Sequence, residues 1–183
     1  MINMTTKTFG DKKIAIRAIK QADLRNAKKF QDFINSFVLE DAKLSMNKEI
    51  DLNGEKAFLK GVLSSVKNKT HAYLVAESDS KIVGTASIEQ KKWRLNHIGS
   101  FGIVIKDEYR GIGLGKFMTQ EVIKVARKEL KPAPKIIKLE VYVNNKPAIA
   151  LYKKMGFKIV GKIPNQIQWK GKLIAEFIML KYL

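Results

Sequence analysis

The chain has 183 residues, 45% of them hydrophobic and 28% charged, which is enough for one domain with its own core. It has no cysteine, which excludes disulfides, thiolate metal sites and cysteine nucleophiles, and its two histidines, His71 and His97, lie too far apart in sequence to suggest a metal centre. The formal charge of +18 suits an anionic ligand, nucleic acid or an acidic protein, yet the excess is mostly lysine spread along the whole chain, which a compositional bias explains equally well.

No run approaches the roughly 18 consecutive apolar residues of a membrane span, and the opening MINMTTKTFG lacks the basic and apolar regions of a secretory signal. A soluble, cytoplasmic protein is expected, a single domain over 1–183 with residues 1–10 as a frayed lead-in. Alternation in KKIAIRAIK (12–20) predicts a strand. Leu24, Ala27, Ile34, Phe37 and Val38 recur at roughly helical spacing and predict a helix over 22–39. The polar segment after it is expected to loop, and a second helix fits 55–68. HAYLVAES and KIVGTASIEQKKW flank the turn-prone Ser78, Asp79 and Ser80 and read as a hairpin, followed by a strand over 97–105. Leu114, Phe117, Met118, Val122, Val125 and Ala126 then form one apolar stripe, so a helix runs to about Leu130, where KPAPK stops it. IIKLEVYV (136–143) suits a buried strand. Ala148, Leu151, Tyr152 and Met155 stand at i, i+3, i+4 and i+7 and describe a short amphipathic helix that Gly156 ends. The remaining tail is expected to be an antiparallel pair turned near Lys170 and Gly171. The fold class is a layered α/β unit.

The stretch YRGIGLGK (109–116) spends three glycines where a strand ends and a helix begins. A P-loop is excluded, since Arg110 stands where its first glycine belongs and Phe117 where it needs Ser or Thr. The GxGxxG fingerprint fails on spacing. What remains is RxxGxG, carried by Arg110, Gly113 and Gly115. Such a loop can aim several backbone N–H groups at one point, and the following helix adds about half a positive charge there, which together suit a diphosphate. A tight turn needing positive φ explains the glycines as well.

FGIVIKDEYRGIGLGKFM and, thirty residues on, KLEVYVNNKPAIALYKKMGF resemble the GNAT superfamily of N-acetyltransferases, which bind acetyl-CoA. The first segment looks like its strand, RxxGxG and helix; the second carries LEVxxxNxxAxxLYxxxGF. The resemblance is strong over 97–160 and weaker elsewhere. It implies a mixed, mostly antiparallel sheet of about seven strands with about four helices, and acetyl-CoA as co-substrate with no metal. It further implies pantetheine contacts from the backbone of Ile103, Val104 and Ile105, and a diphosphate resting on the amides of Arg110, Gly111, Ile112, Gly113, Leu114, Gly115 and Lys116, with positive side chains from Arg110 and Lys116. Asn145 and Lys154 match cofactor-contacting positions, and Tyr152, which also lines that site, matches the general acid. Glu140 lies twelve residues before Tyr152, the separation between base and acid in ribosomal-protein alanine acetyltransferases, and is the first candidate base, with Glu89 and His97 in reserve.

Each position also has a plain structural role: surface charge for Lys116 and Lys154, an N-cap for Asn145, core packing for Tyr152, a salt bridge for Glu140. The acceptor expected is a primary amine, on a protein N-terminus, a small amine or a polyamine. Weak association with RNA or the ribosome through the basic surface, and an edge-strand homodimer, stay open. The rival function is a basic nucleic-acid or ribosome-associated binding module, or a non-catalytic acetyl-CoA sensor, on the same fold.

Overall fold

The computed structural model describes residues 4–183. Among them one sheet is built from β1 (Thr5–Phe9), β2 (Lys12–Ala18), β3 (His71–Ser78), β4 (Lys81–Gln90), β5 (Ile98–Ile105), β6 (Ile136–Tyr142), β7 (Lys158–Trp169) and β8 (Lys172–Tyr182). The helices are α1 (Ala27–Leu39), α2 (Leu52–Lys67), α3 (Leu114–Glu129) and α4 (Lys146–Lys154). Strands lie in the order β1-β2-β3-β4-β5-β6-β8-β7. Every pairing is antiparallel except β5 with β6. The mixed, mostly antiparallel sheet with four α-helices is the expected one.

The added strand is β1. From Thr5 onward the lead-in is not frayed, because Thr5 to Phe9 pair with Ile16 to Lys12; residues 1–3 of that expectation lie outside the described ones. Only Phe9 of the five residues is buried, where its ring meets Phe117 edge-on at 5.5 Å. An outer strand wetted along most of its length has no apolar alternation to betray it. The first expected helix also divides: Gln21–Asn26 is a 3-10 turn, and α1 begins at Ala27. Helix α2 starts at Leu52, earlier than its apolar stripe suggests, because Asp51 caps it, accepting from the Gly54 N–H at 2.7 Å.

Period-two alternation gives the sheet two cores. Leu74, Ala76, Ile88, Phe101, Leu139 and Val141 face Leu114, Met118 and Val122 of α3 and Tyr152 of α4. Tyr73, Val75 and Ile82 face Phe30, Phe33 and Phe37 of α1 and Leu59 and Val62 of α2. Full burial of a side chain such as Leu74 or Leu114 stabilises by about 1.5–3 kcal/mol. Toward β6 the second face changes character: the pairing registers line up Ser87 with Gly102, Glu89 with Ser100, and Ser100 with Lys138, followed along β6 by Glu140 and Tyr142. No helix among the described residues is long and apolar enough to cross a membrane.

Candidate active site

Strands β5 and β6 pair only at their first three residues, Ile98 to Ser100 with Ile136 to Lys138. Beyond Ser100 they part, since β5 stays paired to β4 as far as Ile105 while β6 stays paired to β8 as far as Tyr142. The β6-facing edge of β5 from Phe101 to Ile105 is thus left without a strand partner. Ile103 and Ile105 pack toward the α3 core and Val104 toward the α1 core, so their side chains anchor the edge.

The glycine loop follows directly. Gly111 and Gly113 have φ of +77° and +92°, and a methyl at either would meet no protein atom within 4 Å, so conformation and not crowding demands glycine there. Gly115 answers a different need: its added carbon would come within 3.3 Å of Leu151 Cδ2 and 3.4 Å of Ile105 Cδ1. Removing that carbon lets α3 sit against α4 and β5. Six successive N–H groups, from Gly111 to Lys116, donate to no acceptor among the described residues. The first intrahelical bond is from the Phe117 N–H to the Gly113 carbonyl at 3.1 Å. The turn uses positive φ at Gly111 and Gly113, and its amides remain open.

Arg110 behaves differently from its neighbours. Its N–H donates to the Asp107 carbonyl at 2.9 Å. Its guanidinium donates to the Ile105 carbonyl at 2.7 Å, to Asp107 at 3.0 Å and to Glu40 at 2.7 Å. The open amides thus start at Gly111, and Arg110 fastens the loop to the end of β5 and to the segment after α1. Lys116 and Lys154 are exposed. Asn145 caps α4, its Oδ1 accepting from the Ala148 N–H at 3.4 Å, with Pro147 in the first turn. The adjacent Asn144 has a buried Oδ1 with no hydrogen-bond donor among the described residues.

Tyr152 is only 8% exposed and packs edge-on against Phe101, ring centroids 5.9 Å apart, at the residue where β5 leaves β6. Burial pushes its phenol up to about 12, so it stays protonated at any physiological pH. Its hydroxyl has no hydrogen-bond partner among the described residues. Glu140 is exposed on the opposite face of β6 and bridges to Lys138 at 2.8 Å. The two groups are on different sides of the sheet, beside the stretch where β5 and β6 are not paired. Glu89 is exposed on the same face as Glu140 and raises the pKa of the buried His71, which burial lowers. His97 stands at the closed end of the β5–β6 pair, its carbonyl accepting from the Lys135 and Ile136 N–H groups. Among the described residues no group of His, Asp and Glu is arranged to hold a metal ion.

Residues 38–157 match the family model described as Acetyltransferase (GNAT) family. The chain belongs to the GNAT family. It is 31% identical over 109 residues to the L-amino acid N-acetyltransferase AaaT of Escherichia coli, covering 59% of this chain and 66% of that protein. It is 34% identical over 105 residues to an N-alpha-acetyltransferase of Sulfurisphaera tokodaii, covering 52% and 61%. The matches span about three fifths to two thirds of these relatives' length. Among solved structures, a GNAT acetyltransferase from Streptococcus pneumoniae superimposes with a TM-score of 0.81 at 26% identity, covering 93% of this chain and 99% of that one.

As a GNAT protein the chain shows two features that its motifs do not announce. The segment 40–51 between α1 and α2 is strapped down from three sides. Asn35 exchanges hydrogen bonds with the Ile50 backbone at 2.9 and 3.0 Å, Tyr142 donates to the Leu44 carbonyl at 2.7 Å, and Trp169 donates to the Asp41 carbonyl at 3.3 Å. The second feature is Glu176 on β8, opposite Tyr142 and 8% exposed. Its place on the Glu140 face follows from the β6–β8 register, which pairs Glu140 with Ile178 and Tyr142 with Glu176. The alternation of WKGKLIAEFIML does carry a signal, since one acid in it falls among apolar neighbours.

Proposed function

We propose that the chain is an acetyl-CoA-dependent N-acetyltransferase acting on a primary amine, on a protein N-terminus or a small molecule. The observation that carries it is the junction of six acceptor-free amides, Gly111 to Lys116, with the strand edge Phe101–Ile105, and a protonated phenol, Tyr152, where that edge opens. Diphosphate oxygens suit the amides and the positive end of α3. Amide groups of an extended pantetheine suit the β6-facing backbone edge of β5 beyond Ser100, where the Ile105 carbonyl is already held by Arg110, and Asn144 Oδ1 is a buried acceptor with no donor among the described residues. Lys116 and Lys154 are exposed cations available to phosphate.

Acetyl-CoA supplies an acetyl group activated as a thioester. The chain's own residues manage protons. Glu140 takes one from the acceptor ammonium, and the freed nitrogen adds to the acetyl carbon to give a tetrahedral intermediate. As the carbon–sulfur bond breaks, the Tyr152 phenol gives its proton to the departing sulfur while the nitrogen's second proton returns to the phenolate, leaving the amide and the free thiol. A phenol with pKa pushed up to about 12 remains in its donating form through neutral and alkaline pH, so no loss of activity below pH 10 is expected from its ionisation. The relatives named for L-amino acids and for protein α-amines support an amine acceptor.

The test is thermal unfolding with acetyl-CoA, followed by thiol-release assays across amines and N-terminal peptides. At 100 times the dissociation constant the coenzyme should add about 2.7 kcal/mol of stability, roughly 5–10 °C in a chain of this size. No stabilisation at saturating coenzyme defeats the proposal.

A further inference from the structure

In this lysine-rich chain most carboxylates near a cation are bonded to one: Asp23 and Glu77 to Arg17, Glu40 and Asp107 to Arg110, Asp41 to Lys170, Glu140 to Lys138. Glu176 is more than nine-tenths buried, yet no donor among the described residues bonds to it. The side chain lies largely within the fold while its carboxylate oxygens are not fully enclosed, and no lysine bonds to them.

Neighbours on every packed element explain why the position is left open. On β6, Lys138, Glu140 and Tyr142 share its face, through the pairs Lys138–Leu180, Glu140–Ile178 and Tyr142–Glu176. The Lys138 ammonium is bound to Glu140 at 2.8 Å, and the Tyr142 hydroxyl donates to the Leu44 carbonyl at 2.7 Å. On β7 the residue opposite is Ile163, which offers no charge. From the 40–51 segment, Asp41 adds negative potential at Tyr142, and the Lys43 ammonium lies over the Trp169 ring at 5.2 Å. Burial, and then the charge of Glu140, push the Glu176 carboxyl up, with Lys138 opposing. The local field is thus negative on a face of a protein whose total charge is +18. Screening beyond about 8 Å at physiological salt lets a local field of this kind prevail over the global one.

We propose that Glu176 is the residue that binds the ammonium of the acceptor. It sits with Glu140 on the sheet face opposite Tyr152, next to the unpaired stretch of β5 and β6. The site then selects a primary amine entering as a cation with no carboxylate beside it, an amidated or peptide-linked α-amine or an alkylamine, because a free α-carboxylate would lie against the same two acids. This rests on the acetyltransferase reading above and adds the acceptor's anchor to it.

Glu176→Gln keeps shape and removes charge. With L-alaninamide as acceptor, the variant should raise the acceptor KM at least tenfold while kcat stays within about threefold and the acetyl-CoA KM is unchanged. Wild type should favour alaninamide over alanine at least tenfold in kcat/KM. A second measurement needs no turnover: in protein saturated with coenzyme A, alaninamide should raise the melting temperature, its neutral isostere lactamide should not, and Glu176→Gln should lose the response. An acceptor KM within twofold of wild type, a fall in kcat alone, equal use of alanine, or equal stabilisation by lactamide each overturns the proposal. Absence of turnover with any amine defeats the acetyltransferase reading, and the coenzyme A experiment still decides the fate of Glu176.

Discussion

Gly113→Ala and Gly171→Ala form a matched pair that isolates ligand binding from backbone strain. Both glycines have positive φ, +92° and +69°, and in neither case would the new methyl meet a protein atom within 4 Å. Left-handed backbone costs an alanine about 1–2 kcal/mol, and the entropy alanine removes from the unfolded chain returns about 0.4–1 kcal/mol. Each variant should therefore lose roughly 0.5–1.5 kcal/mol, or about 1–6 °C in melting temperature. They differ in place. Gly171 turns the β7–β8 hairpin, whereas Gly113 is the N-cap of α3 within the run of open amides. Calorimetric titration with coenzyme A should find the Gly171→Ala dissociation constant unchanged and that of Gly113→Ala raised tenfold or more. No clash within the chain can account for such a loss. Equal affinity in the two variants would refute the assignment of the 111–116 amides to the diphosphate.

Tyr152→Phe should leave the melting temperature almost unchanged, because the hydroxyl has no protein partner to lose, while lowering kcat about 100-fold; unchanged turnover would make Tyr152 a packing residue only. Glu55 in α2 is 4% exposed, and burial raises its carboxyl to about 7. Since its folded value exceeds the unfolded one, the stability it contributes is full below about pH 4.5 and is lost as pH rises through about 7. Glu55→Gln should match wild type at pH 4 and exceed it by about 1–3 kcal/mol at pH 8 in urea unfolding, and parallel pH profiles would show the carboxyl to be unperturbed.

The two segments with motifs gave up the most to sequence reading. Glycine spacing and the Ala148, Leu151, Tyr152, Met155 stripe located α3, α4 and the open amides because local chemistry alone dictates them. Strand β1 stayed hidden, since every residue of TTKTF before Phe9 is exposed and the strand shows its role only once β2 is beside it. The engagement of Arg110 was equally hidden: its partners Glu40 and Ile105 meet it only through tertiary structure, which no motif displays. Glu176 and Asn144 were missed because burial without a partner is a property of a folded surrounding. No spacing rule contains it.

A bare strand edge invites a stranger to pair with it, and proteins commonly protect such edges with charge, proline or a bulge. Phe101 to Ile105 carry none of these, being a glycine and four hydrophobic residues. Their protection is positional. The bare edge lies in the interior of the sheet, with β6 and β8 continuing on its far side, so an intruding chain would have to thread a wedge between strands of one molecule rather than lie along its rim. The divergence that leaves this edge open therefore also keeps a second chain from pairing along it.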